Sequence, residues 1–263
     1  LPENQGRETL PIAIFNHKKE QANPGYYSVE FDNYEVSAEL TASARVGMHR
    51  YTFGTGSEKR LLVDVGHILQ RTWGHENVFN RLEVIDKFTL QGMKHSTGWS
   101  NDHRVYFRIE FSSPFSIDQM VSEGILTNDP DSISGQDVWA FLSFNELAEG
   151  ETLLVKAAIS AVDEEGALKN MQAEVAHMDF ERVRSDAENA WQEALGKIKI
   201  ETENEDQYTI FYTALYHTMF APSLYQDADG RYRGMDGKVH KADSGMVNYT
   251  AYSMWDTFRA LHP

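Results

Sequence analysis

The chain of 263 residues sets 24 Lys and Arg against 40 Asp and Glu, a net charge of −16, and 41% of it is hydrophobic. That much apolar material excludes disorder as the main state. So acidic a surface repels phosphate backbones and anionic lipid, which argues against nucleic-acid and membrane partners and suits a neutral sugar or a cation. With no cysteine, thiol catalysis, disulfides, zinc ribbons and iron–sulfur clusters are excluded.

At roughly 100–200 residues per domain, the length admits one large domain or two. The opening Leu1-Pro2-Glu3-Asn4 has neither an initiator Met nor a signal-peptide pattern, so the expectation is a native N-terminus that has been removed or lies upstream, and the compartment stays open. No apolar run reaches the ~20 residues of a membrane-spanning helix.

Residues 26–40 alternate apolar and polar around a turn at Asp32-Asn33, the pattern of a hairpin with one buried face. Further short runs rich in Val, Ile, Phe and Tyr follow at 48–53, 61–65, 84–90, 105–111, 138–144 and 152–159, bounded by turn residues. Many short strands with no long helical pattern between them predict an antiparallel β-sandwich.

The period changes near residue 180. Val183, Ala187, Ala190, Trp191, Ala194, Leu195 and Ile198 recur at three- and four-residue spacing, an amphipathic helix of about four turns. A second helix is expected over 206–220, stopped by Pro222. Its Tyr208, Phe211, Tyr212, Leu215, Tyr216, Met219 and Phe220 cover more than half the circumference, so burial on several sides is expected. A Gly/Asp-rich loop over 227–237 and an apolar stretch over 247–254 precede the closing segment Trp255–Pro263.

Several motifs bear on function. Asp227-Ala-Asp229-Gly230 opens like a calcium loop, but Arg231 stands at position five and Lys238 at position twelve, so a tight turn is the expectation. Trp255-Asp256 with Arg259 offers an aromatic face for a sugar ring, a carboxylate for two neighbouring hydroxyls and a guanidinium to orient it. On spacing alone the favoured reading of the same residues is an internal ion pair beside a core tryptophan. Trp99, in a polar loop before the strand 105–111, either lines a carbohydrate site or caps the sandwich edge. The ten histidines show no metal-binding spacing, and Asn248-Tyr-Thr250 is a bare three-residue glycosylation match.

Phe211-Tyr-Thr-Ala-Leu-Tyr-His-Thr-Met219, Asp227-Ala-Asp-Gly-Arg-Tyr-Arg-Gly-Met-Asp236 and Tyr252-Ser-Met-Trp-Asp-Thr-Phe-Arg-Ala-Leu-His-Pro263 together resemble glycoside hydrolase family 92, the α-mannosidases. Upstream, Pro24-Gly-Tyr-Tyr-Ser-Val29, Arg45-Val-Gly-Met-His-Arg-Tyr-Thr-Phe53 and Val105-Tyr-Phe-Arg-Ile-Glu-Phe-Ser-Ser-Pro-Phe115 resemble its N-terminal sandwich, and 180–195 its linker helix.

The resemblance implies a mainly β chain: a sandwich over 1–178, then a linker helix and the first helices of an incomplete α/α barrel over 179–263. It implies calcium-dependent, inverting, exo-acting α-mannosidase chemistry of the α-1,2 type on mannose-containing glycans. Inversion uses two carboxyl groups roughly 6.5–9.5 Å apart, with calcium as Lewis acid and template on the sugar hydroxyls. The acid, the base and the calcium ligands are expected beyond Pro263, and the earliest sandwich strands before Leu1. The carried-over substrate contacts are Trp255 and Asp256 and, more weakly, Arg259 and Trp99. A secreted, periplasmic or cell-surface location is implied, as is inactivity of these residues alone. A stand-alone carbohydrate-binding or interaction module is the alternative.

Overall fold

A computed structural model describes residues 10–69, 71–127 and 131–251. The strands are β1 (Phe15–Asn23), β2 (Tyr26–Phe31), β3 (Val36–Ala42), β4 (Val46–Phe53), β5 (Arg60–Asp64), β6 (Glu76–Asp86), β7 (Thr89–Thr97), β8 (His103–Phe111), β9 (Ser116–Ser122), β10 (Ile125–Leu126), β11 (Ser132–Gly135), β12 (Val138–Ser143) and β13 (Thr152–Ser160). Helices α1 (Glu164–Glu174), α2 (Phe180–Leu195) and α3 (Glu205–His217) follow, then the hairpin β14 (Arg231–Arg233) and β15 (Val239–Lys241).

Among the described residues, nine antiparallel strands form one sheet in the order β1-β2-β3-β4-β13-β8-β7-β6-β11, and four form a second in the order β10-β9-β12-β5. The sheets face each other across a core that includes Leu82, Leu90, Phe111, Phe115, Leu142, Phe144 and Leu153. Successive side chains on a strand point to opposite faces. On β13, Leu153 and Val155 therefore enter this core, while Leu154 and Ala158 face the other way, into a second core with Met171, Val175, Phe180 and Val183 of the helical layer. On β4, Val46 and Met48 serve the helices and Tyr51 and Phe53 the sandwich. The molecule is thus layered sheet, sheet, helices.

Short polar side chains start each helix. Asp163 accepts from the Gly166 amide at 2.7 Å, Asp179 from Arg182 at 3.1 Å and Asn204 from Gln207 at 3.1 Å. Helix α2 is fastened to the sheet by Arg50, which forks onto Glu39 with two 2.6 Å bonds and lies 4.3 Å over the Phe180 ring, and by Arg184, 3.8 Å over Tyr26.

The antiparallel sandwich and its helical sequel match the expectation, with four corrections. Residues 84–90 are not a strand but the tip of the β6–β7 hairpin, because Asp86 accepts the Phe88 amide and turns the chain. Helix α1 lies inside the stretch read as sandwich. The loop 227–237 holds β14 and leads into its hairpin partner β15. Helix α3 ends at His217 and has no buried residue; its described packing is on α2, where Trp191 meets Tyr216 at 4.8 Å. Its apolar side chains are therefore only partly covered: Phe211, Tyr212, Leu215 and Tyr216 are half-buried, while Tyr208 is 50% and Ile210 68% exposed.

Candidate functional site

One end of the large sheet gathers the features that could meet a ligand. The registers Asn77↔Ser96, Ser96↔His103 and Tyr106↔Ser160 bring together the start of β6, the end of β7, the start of β8 and the end of β13. The β7–β8 loop at this end carries Trp99. Its turn is closed by the Gly98 amide donating to the Ser100 carbonyl at 3.0 Å. Gly98 is required, since a Cβ there would lie 2.5 Å from the His75 ring. Trp99 is 84% exposed, so it caps nothing. Trp73, in a 3-10 turn ahead of β6, stands beside it with ring centroids 6.3 Å apart and planes tilted by 32°. Sequence reasoning missed Trp73, although Trp73-Gly74-His75 carries the same glycine-flanked loop signal as Gly98-Trp99.

Polar groups border the two indoles. Asp102 accepts from Arg104 Nε at 2.8 Å and lies 2.9 Å from His95 Nε2. The Arg104 hydrogen bond, with the nearby His95 and Arg233 charges, holds its carboxyl below the usual carboxylate range. Two exposed indole faces beside a fixed anion can stack on the C–H side of a pyranose ring and accept from its hydroxyls.

The segment 223–250 docks at the same end. Arg233 donates to the Ala161 carbonyl at 2.9 Å and the Val162 carbonyl at 3.2 Å, just past β13. The Asp227 loop is the expected tight turn, with Gly230 at φ +86°. Asp229 accepts from the Arg231 side chain at 2.8 Å, and Asp227 is taken by Ser160 and Asn170, so both carboxylates a calcium loop would offer are engaged within the fold. Among the described residues no group of three His, Asp or Glu could hold a metal ion, so these residues do not fit a calcium site. Asn248 Nδ2 donates to the Tyr225 carbonyl at 2.7 Å and is thereby engaged within the fold. Trp255, Asp256 and Arg259 lie outside the described residues.

With this geometry in place, two family profiles cover the chain. The glycosyl hydrolase family 92 N-terminal domain matches residues 3–160, and the catalytic domain of the same family matches residues 166–263. The chain belongs to glycoside hydrolase family 92. The family 92 α-mannosidase BT3965 of Bacteroides thetaiotaomicron is 34% identical with a TM-score of 0.87, over 95% of this chain and 34% of its own length. That enzyme has also been solved with mannoimidazole, at 34% identity and a TM-score of 0.86. The inverting mannosidase BT2199 of the same organism is 27% identical with a TM-score of 0.82, over 95% of this chain and 33% of its own. An uncharacterized secreted glycosidase of Arthroderma benhamiae is 25% identical over 230 residues, 78% of this chain and 29% of that protein. The family 92 chain therefore spans about a third of the length of these relatives. Among its described residues, no helix is long and apolar enough to cross a membrane.

Proposed function

We propose that this chain forms the sandwich and the opening of the catalytic domain of a secreted, inverting, exo-acting α-mannosidase of the α-1,2 type. The observation that carries this reading is the backbone likeness to the Bacteroides α-mannosidase along nearly the whole chain, sandwich and helices together. Its complex with mannoimidazole supports a mannose-based substrate, and the secreted fungal relative supports export.

In this reading Trp255 and Asp256 hold the terminal mannose, the indole against the ring and the carboxylate on neighbouring hydroxyls, with Arg259 orienting the carboxylate. Trp99 and Trp73 offer stacking faces to the rest of the glycan. The two carboxyl groups that protonate the leaving oxygen and activate water belong to residues outside 1–263, as do the calcium ligands. Asp163 and Asp179 serve as helix caps, Asp227 is held by Ser160 and Glu39 is paired with Arg50, so these four acids are engaged within the fold.

The test is mannose release from α-1,2-mannobiose followed by proton NMR. The protein with its complete catalytic domain releases β-mannose first, as inversion requires. Residues 1–263 alone release none. Release by residues 1–263, or first release of α-mannose by the longer protein, overturns the reading. The exposed Trp73–Trp99 pair also favours a second reading, a carbohydrate-binding module without hydrolysis. It predicts that residues 1–263 alone bind mannose by calorimetry.

A further inference from the structure

We propose that Trp73, Trp99 and the polar hollow beside them form a built binding site for uncharged pyranose units within a glycan chain. The inference rests on the reading above that the chain handles mannose glycans, and it deepens that reading by assigning the residues and the ligand class.

The two indoles make one platform. Trp73 is 64% and Trp99 84% exposed. Their centroids, 6.3 Å apart, lie within the roughly 4.5–7 Å of aromatic rings in contact, so a ligand lies across their outward faces and not between them. The C–H side of a pyranose is apolar enough to cover an indole, and its hydroxyls then need polar partners at the border.

The platform is fixed before any ligand arrives. Gly98 rests against the His75 ring, so the loops that carry Trp99 and Trp73 are in contact. Ser100 Oγ donates to the Asp102 carbonyl at 3.1 Å and accepts the Asp102 amide at 3.3 Å. Asp102 is held in turn by Arg104 of β8 and His95 of β7. Groups ordered in advance lower the entropic cost that a ligand has to meet.

The hollow supplies the polar partners. It has a volume of about 520 Å³, within the roughly 300–1,000 Å³ of ligand pockets, and its wall includes His75, Glu76, Asn77, Gln136 and Asp137. His75 joins hollow to platform, because the same ring lies under Gly98. Asn77 shapes the wall: it donates to the Gly66 carbonyl at 2.7 Å and accepts from Lys94 Nζ at 2.9 Å. Glu76 and Gln136 are exposed, and offer a carboxylate that accepts from hydroxyls and an amide that both donates and accepts. Two carboxylates in the wall, on a chain of net charge −16, repel anionic sugars, which makes an uncharged sugar the ligand class. The same charges argue for a sugar over a protein neighbour, since the core of a protein interface is depleted of charged groups.

The experiment runs the protein with its complete catalytic domain through native gels containing α-mannan, in which interior sugars far outnumber chain ends. Wild type is expected to be retarded in mannan and to migrate freely in alginate, a polymer of anionic sugars. Trp73→Ala and Glu76→Ala are each expected to raise the dissociation constant for mannan at least about fivefold, while Lys19→Ala, an exposed control, matches wild type. Both changed side chains are exposed, so Tm should stay within about 2 °C. Free migration of wild type in mannan overturns the proposal, as does equal retardation in alginate or variants retarded as strongly as wild type. Unchanged retardation with a fall in Tm of more than about 5 °C for Trp73→Ala assigns the indoles to a protein seam instead. Mannose release from α-1,2-mannobiose, measured alongside, separates the two readings. Hydrolysis with variants that bind like wild type overturns the site alone, and retardation without hydrolysis overturns the glycosidase reading alone.

Discussion

Arg231 grips Asp163 through two hydrogen bonds, 2.6 Å from Nη1 and 3.1 Å from Nη2, and so ties the hairpin β14–β15 to the residue that caps helix α1. One carboxylate serves both, because Oδ1 also accepts the Gly166 amide. Asp163→Ala is therefore expected to cost more than a simple cap, about 2 kcal/mol in urea melts, and Arg231→Ala about 1 kcal/mol. A double-mutant cycle should give a coupling near 1 kcal/mol; additivity within about 0.3 kcal/mol would show the pair to be ornamental.

The sandwich was legible because alternation of period two is a property of each strand by itself, as in residues 26–40, where β2 and β3 flank the predicted turn. Helix α2 was legible for the same local reason. Helix α1 was not: its buried face mixes Gly166 and Asn170, which lie against Asp227, with only Ala167 and Met171 on the apolar core, too few to show a stripe in the sequence. The Asp227 turn could be read from Asp and Gly spacing, but not its partners Ser160 and Asn170, which lie 67 and 57 residues away. Trp99 could be placed in a loop, whereas its pairing with Trp73 depends on how β6, β7 and β8 align.

Trp99→Ala removes an indole that is 84% exposed, so stability should stay within about 0.5 kcal/mol of wild type. If the ring stacks on the glycan, loss of that face is worth about 1 kcal/mol, roughly fivefold in KM for an oligosaccharide. Trp99→Phe should recover part of it. Steady-state kinetics on a mannobiose and a longer mannan fragment decide the matter. An unchanged KM on both substrates would remove Trp99 from the binding surface.

Helix α3 offers a contrast between two contexts. Ile210 is 68% exposed and Tyr208 50%, on a helix with no buried residue. Ile210→Lys should shift the stability of residues 1–263 by less than about 0.5 kcal/mol. In the protein with its complete catalytic domain, the same ammonium would meet the helices that follow, and a buried unpaired charge should cost several-fold more, on the order of 2–4 kcal/mol. Thermal melts of the two proteins check this. Equal effects in both would mean that the apolar girdle stays open to water.

Glu39 provides the pH test. Its carboxylate takes both Arg50 bonds and the Tyr26 hydroxyl at 2.8 Å. The Arg50 guanidinium, aided by Tyr26, outweighs partial burial and holds the carboxyl below its ordinary value of 4.5. For a carboxyl depressed in the folded state, the unfolded chain binds the proton first as acid is added. The stabilisation is thus fully present above about pH 4.5 and fades as pH falls through the lowered folded value. Glu39→Gln should cost about 1–2 kcal/mol at pH 7, where the Arg50 fork loses its anion, and the gap to wild type should narrow at pH 3. Urea melts at the two pH values measure it. A gap that is unchanged or wider at pH 3 would mean that the Arg50–Glu39 pair contributes shape rather than charge to the seam between α2 and the sheet.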